Sequence, residues 1–153
     1  MMKISNKRCN KKFFYKDDRF LIKITKAKIV PNIYLKDFYS EELGAYTTFI
    51  GTIRDTTEDN KKIIKLYYEA NISMAISEVL KILKKYENNF NKAIVVHRIG
   101  EIKPKEIAIF IALSNKHRDN IFVTLGNILE EIKETVPIWK KEYFEGGSEW
   151  KGT

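Results

Sequence analysis

Between Ser73 and Tyr86, Ile76, Val79, Leu80, Leu83 and Tyr86 recur at helical spacing as one apolar stripe, flanked by Met74 and Ile82. A stripe of that width has to be covered by other apolar surface. The chain supplies candidates. Ala93 to Ile99 and Ile107 to Leu113 are apolar runs of strand length, joined by Gly100 to Glu106 with Pro104 inside. Phe20, Ile22 and Ile24 alternate within a strand-like stretch from Phe20 to Ile29. Ala45 to Ile53 and Ile63 to Glu69 read as two more strands, with Asp55 to Asn60 as a polar loop between them. Asn120 to Thr135 is a second long helix, with a core face of Ile121, Leu125, Ile128, Leu129 and Ile132; Gly126 within it points to close packing. Leu35 to Leu43 reads as a short helix closed by Gly44. Helices and strands that do not alternate strictly predict an α+β fold.

At 153 residues, 44% hydrophobic and 31% charged, the chain fits one soluble globular domain with a real core. No apolar run reaches the length of a membrane span, and the basic N-terminus lacks the apolar stretch of a secretory signal. The single cysteine, Cys9, cannot form an internal disulfide, which fits a reducing, cytoplasmic setting. The net charge of +8 asks for an anionic partner: a nucleic acid, a phosphorylated small molecule or an acidic protein. The lysines are spread along the whole chain, so charge alone says little for nucleic acid. Residues 1–18, centred on Lys7-Arg8-Cys9-Asn10-Lys11-Lys12, read as a poorly ordered basic extension, and 19–153 as a single domain.

The stretch Lys133 to Glu142 holds two lysines on either side of Pro137. Proline lacks an N–H and restricts the residue before it, so the helix should stop near Val136. Lys133 then lies on the last helical turn, and Lys140 on an extended segment beyond. Ammonium groups brought together by a fixed turn repel each other, which favours a lysine acting as nucleophile or base. Ile138 and Trp139 could form an apolar wall beside them. A solvated helix end, where cations are favoured by the helix dipole, explains the spacing equally well.

Four segments, taken in order and together, carry a family resemblance. They are Gly44-Ala45 with Thr48 to Arg54; Leu66 to Glu69 leading to Met74-Ala75; His97 to Gly100 followed by Ser114 to Arg118 and Phe122; and Lys133 to Glu142 with Gly147 and Trp150. Across about residues 20–151 the chain resembles the large, catalytic subunits of molybdopterin synthase, the MoaE family. The resemblance implies an α/β-hammerhead-type fold, mostly antiparallel sheet with two main helices. It implies a sulfurtransferase that pairs with a small ubiquitin-like subunit ending in a Gly-Gly thiocarboxylate. Sulfur passes from that tail to cyclic pyranopterin monophosphate, forming the dithiolene of molybdopterin. A homodimer within a heterotetramer is implied as well, with no cofactor, no metal and no nucleic acid.

By the family pattern Lys133 and Lys140 are the catalytic pair, and both contact substrate. Arg54 would bind substrate, with Thr52 and Ile53 offering backbone contacts beside it. His117-Arg118, where a strand gives way to a helix, would hold the substrate phosphate; a helix start with His and Arg suits an anion. Lys141 and Glu142 complete the implied pocket, and Glu142 could orient a lysine through an ion pair. His97-Arg98, inside an apolar run, reads as structural support, and Phe49 and Trp139 as core or pocket wall, core being the safer reading. Two histidines twenty residues apart and one N-terminal cysteine make no metal-ligand set. Nothing resembles a phosphate-cradling glycine loop or a dinucleotide fingerprint.

Ile121 before Phe122 and Asn71 after Ala70 depart from the family pattern, both at packing positions. The alternative function is a basic nucleic-acid-binding module, which would need lysines and exposed aromatics interleaved on one face. Here the aromatics mostly fall on core positions of strands and helices. A degenerate subunit that binds the partner without catalysis is a third reading, at odds with Lys133, Lys140, Arg54 and His117-Arg118 all being present.

Overall fold

The two apolar runs without strict alternation become the two central strands of a six-stranded sheet, buried on both faces. The computed structural model describes residues 9–11 and 13–151. In chain order these form β1 (Cys9–Lys11), β2 (Phe14–Lys16), β3 (Phe20–Thr25), α1 (Pro31–Leu35), β4 (Ala45–Thr52), β5 (Ile63–Ala70), α2 (Ile72–Lys85), β6 (Lys92–Arg98), β7 (Gly100–Ile102), β8 (Ile107–Asn115), α3 (Ile121–Thr135), β9 (Ile138–Phe144) and β10 (Gly147–Lys151). The large sheet runs β1-β2-β3-β6-β8-β4, and a second sheet runs β10-β9-β5-β7. Among the described residues every pairing is antiparallel except β3 with β6, where Phe20 lies opposite Ala93 and Thr25 opposite Arg98. The architecture is α+β with two main helices, as the element pattern predicts.

Alternation assigns each face of the large sheet its cover. Ile22, Ile24, Val95, Ile111 and Leu113 join Val79 and Leu83 of α2 and Leu125 and Ile128 of α3 in the main core. The odd-out positions Ile94, Val96, Phe110 and Ala112 pack on the other face against Ile29, Phe38 and the partly buried Tyr34 and Leu35. A third cluster, Ile53, Ile63, Leu66, Ile102 and Ala108, joins the second sheet to the first. Asn71 starts α2 by accepting the Met74 N–H with its side chain. Thus the position that departs from the family pattern has a capping role here.

Three expectations change. The short helix lies earlier, at Pro31–Leu35, because Pro31 occupies its first turn, where a missing N–H costs nothing. Gly44 therefore closes no helix; its N–H donates to the Lys116 carbonyl at 3.2 Å. Gly126 marks no close packing, since a Cβ there would meet nothing within 4 Å. Of the segment read as a disordered extension, residues 1–8 and 12 lie outside the described residues, but β1 and β2 extend the sheet beside β3. Tyr15 is buried there, and Asp17 Oδ1 accepts the backbone N–H groups of Arg19 and Phe20, fixing the turn. Adjacent aromatics at 13–15 conceal that inward–outward alternation.

Leu83 is wholly buried between α2 and the sheet, whereas Met74 is 54% exposed. Leu83→Ala should lower unfolding free energy by about 2–5 kcal/mol and Met74→Ala by less than about 0.5 kcal/mol, compared by urea denaturation.

Candidate functional site

The last turn of α3 ends over the rim of the large sheet, and the backbone turns there. Val136 is extended (φ −76°, ψ 129°), and its N–H still reaches the Ile132 carbonyl. After Pro137 the chain enters β9 and pairs with β5, Ile138 opposite Ala70 and Lys140 opposite Tyr68. Lys133 thus stays on the helix while Lys140 lies on the second sheet, and the gap between them is a cleft.

The cleft encloses about 450 Å³, within the range of small-molecule sites. Its walls come from Phe49, Gly51 and Thr52 of β4, Ala108 and Ile109 of β8, and Ile132 and Val136 at the end of α3. Tyr68, His97, Ile138, Lys133, Lys140 and Arg54 complete it. Gly51 is needed as glycine: a Cβ there would lie 2.7 Å from Ile109 Cγ2. The register shifts between Gly51 and Thr52, a bulge that ends the pairing just before Arg54.

Arg54, Lys133 and Lys140 are therefore brought together, as expected, with Thr52 beside them. Lys140 Nζ lies 3.9 Å from Glu142 Oε1, two residues along the same face of β9. Glu142 is buried, and its Oε2 has no hydrogen-bond partner among the described residues. The ion pair through Oε1 is long, and it places the Lys140 ammonium beside a buried carboxylate that has no other side-chain partner among the described residues.

Other expected positions fall elsewhere. Ile53 is buried, its N–H donates to the Glu106 carbonyl and its carbonyl accepts from Lys105, so neither group is free for a substrate. Lys141 points to the opposite face of β9, its Nζ 5.2 Å from the Tyr143 ring centre and 5.6 Å from that of Trp150. Trp139 shares that outer face and is exposed, so it is neither core nor cleft wall, whereas Ile138 is the wall residue. His117 and Arg118 are exposed beyond the far end of β8, eight or nine residues past Ile109. From Ile109 to the end of β8 at Asn115 the strand rises roughly 20 Å at about 3.3 Å per residue, and neither His117 nor Arg118 lines the cleft of its own chain.

Two further residues line the cleft that were not expected as site residues: Tyr68, which lies in a motif segment, and His97, read as structural support. His97 is buried, and its Nδ1 lies 2.7 Å from the Arg98 carbonyl. A carbonyl only accepts, so Nδ1 carries the proton and Nε2 is left an acceptor. Burial pushes the His97 imidazole down to about 4, overriding that hydrogen bond. The Tyr68 ring packs edge-on against His97 with centres 5.0 Å apart. Burial, and then the Glu142 charge, push the Tyr68 phenol up to about 12. Both groups are neutral at physiological pH. Among the described residues there is no cluster of three or more His, Cys, Asp or Glu that could hold a metal, and no helix is long and apolar enough to cross a membrane.

The family model described as MoaE protein matches residues 24–135. The chain belongs to the MoaE family. The molybdopterin synthase catalytic subunit of Dictyostelium discoideum is 38% identical over 143 residues, covering 90% of each chain. That of Bacillus subtilis (strain 168) is 39% identical over 131 residues, covering 84% of this chain and 83% of its own. The crystal structure of molybdopterin synthase from Staphylococcus aureus superposes with a TM-score of 0.79 at 33% identity, covering 95% of this chain and 100% of that one. MoaE membership supersedes the nucleic-acid alternative.

His97 makes stability depend on pH in a defined direction. Its folded value lies below the ordinary 6.5, so between about 6.5 and 4 the unfolded chain binds more protons than the folded one. The stabilising contribution of neutral His97 is complete above that window and is lost as pH falls through it. A urea-denaturation series across that window should show it, and His97→Leu should remove its share of the slope.

Proposed function

We propose that this chain, as a molybdopterin synthase catalytic subunit, carries out sulfur transfer in the cleft between α3 and β9. The supporting observation is the convergence of Lys133, Lys140 and Arg54 on one cavity, three cations from three separate elements. Such a cavity suits a substrate with a phosphate and a reaction that develops negative charge. In this reading the thiocarboxylate tail of a small ubiquitin-like subunit enters the cleft and meets cyclic pyranopterin monophosphate.

Once the thiocarboxylate sulfur has bonded to a substrate carbon, the Lys133 ammonium stabilises the oxyanion that forms when water attacks the resulting thioester carbonyl. Its collapse leaves the sulfur on the substrate as a thiolate and the tail as a carboxylate. Lys140, held by Glu142, moves a proton as the cyclic phosphate opens. Arg54 offers a guanidinium fork that can pair two oxygens of a phosphate at once. The buried carboxylate of Glu142 sets where the Lys140 ammonium sits, and its own side chain does not meet the substrate.

His117 and Arg118 fit this reading through a second copy of the chain. The resemblance implies a homodimer within a heterotetramer, and only another protomer could carry these residues into the cleft. They would then supply the phosphate contact that the cleft's own protomer cannot.

Two experiments test the reading. Purified chain, thiocarboxylated small subunit and cyclic pyranopterin monophosphate should yield molybdopterin, measured as its fluorescent oxidation product. Lys133→Ala should cut the rate by about 10²–10³-fold, the usual loss when one oxyanion-stabilising group is removed; full dithiolene formation by that variant would sink the assignment. Mixing inactive Lys133→Ala chains with inactive Arg118→Ala chains should restore part of the activity, because a mixed dimer holds one cleft with both groups intact. Mixtures no more active than either parent would place Arg118 outside the partner's cleft.

A further inference from the structure

The exposed mouth of the cleft is cationic, but its inner wall is neutral and polar. Lys133 and Arg54 are exposed, whereas His97 is buried and Tyr68 half-buried. Neither the Tyr68 hydroxyl nor His97 Nε2 has a hydrogen-bond partner among the described residues. The pair therefore gives the cleft wall one donor and one acceptor, on rings packed edge-on with centres 5.0 Å apart. The His97 tautomer is fixed from behind by the Arg98 carbonyl at 2.7 Å. Both atoms are open to the cleft and not sealed in the core, so a ligand that displaces water from them must supply matching groups, and the site discriminates for one that does.

We propose that Tyr68 and His97 read an amide-type edge of a flat heterocycle, with Nε2 accepting from a ring N–H and the Tyr68 hydroxyl donating to the neighbouring ring carbonyl. The pyrimidinone ring of a pterin carries such an edge. The inference rests on the cleft being the site for cyclic pyranopterin monophosphate, and it orients that substrate: heterocycle inward, phosphate at the cationic mouth. Phe49, Ile109 and Ile138 line the same cavity and give the ring system apolar contact on its faces. A cation at the inner wall would serve a charged group; a neutral donor beside a neutral acceptor serves an uncharged one. Tyr68 and His97 are thus binding residues that choose the heterocycle, separate from the lysines that act on the reacting atoms.

The test is calorimetric titration of cyclic pyranopterin monophosphate into the purified chain, with titration of the small subunit in parallel. Tyr68→Phe keeps the ring against His97 and removes only the hydroxyl, so the fold is preserved. It should weaken substrate binding about tenfold and leave small-subunit binding unchanged. His97→Leu should weaken substrate binding to a similar degree; if that variant loses its thermal unfolding transition, Tyr68→Phe decides alone. Wild-type substrate affinity in Tyr68→Phe overturns the inference and leaves the reading of the cleft standing. A loss confined to the small subunit assigns the pair to the peptide tail, whose amide bonds share the same chemistry, and overturns the heterocycle assignment. Failure of the wild-type chain to bind the substrate overturns the reading of the cleft and this inference with it.

Discussion

The cleft depends on three residues, Val136, Pro137 and Ile138, where helical backbone becomes extended backbone. Pro137 has no N–H to give a helix, so the chain must leave α3 at that point. Its carbonyl is not wasted: it accepts the Asn71 N–H at 3.2 Å, next to the start of α2. One short passage therefore ties together the end of one helix, the beginning of the other and the first pair of the second sheet. With Val136 and Ile138 both buried, that passage cannot drift without exposing apolar surface. Rigidity there sets the separation between a lysine on a helix and a lysine on a strand.

Electrostatics divides the cavity into two zones. Lys133 and Arg54 at the mouth are exposed and Lys140 is half-buried, so the cationic side of the cavity is the one open to water. Deeper in, desolvation favours uncharged forms, and His97 and Tyr68 are both held neutral. Glu142 stands between the zones. It is buried, yet only 3.9 Å from the Lys140 ammonium, so each charge offsets the other's loss of water. The arrangement lets the site hold an anion and a neutral ring system at once.

Much of this was legible in the chain because the strong signals were periodic. The stripes of α2 and α3 and the alternation of β3 follow directly from burial, and Pro137 marks the helix end by covalent chemistry. The convergence of Lys133, Lys140 and Arg54 was legible through their motif pattern. Tyr68 and His97 stood in motif segments without a site role, because inside apolar or alternating runs an inward polar residue looks like any strand position. Lys141 and Trp139 were misplaced for the opposite reason: motif proximity was read as spatial proximity, although period-two geometry sends neighbouring strand residues to opposite faces. Ile53 shows the same limit for backbone groups, since which carbonyl takes its N–H is decided by tertiary pairing with Lys105 and Glu106.

The parallel pairing of β3 with β6 carries a consequence for how the chain reaches this fold. Its partners are far apart in sequence, and the segment between them includes α1, β4, β5 and all of α2. Closing such a loop costs entropy before any contact repays it, so this junction should form late and slow the whole process. Arg19 marks where it locks: its guanidinium donates to the carbonyls of Glu87, Phe90 and Asn91, just ahead of β6. Until that lock closes, β6 is an open apolar edge able to recruit strands from other molecules. Once β3 is in place it covers that edge, with β2 pairing on its outer side, a service to solubility that is separate from anything the cleft does.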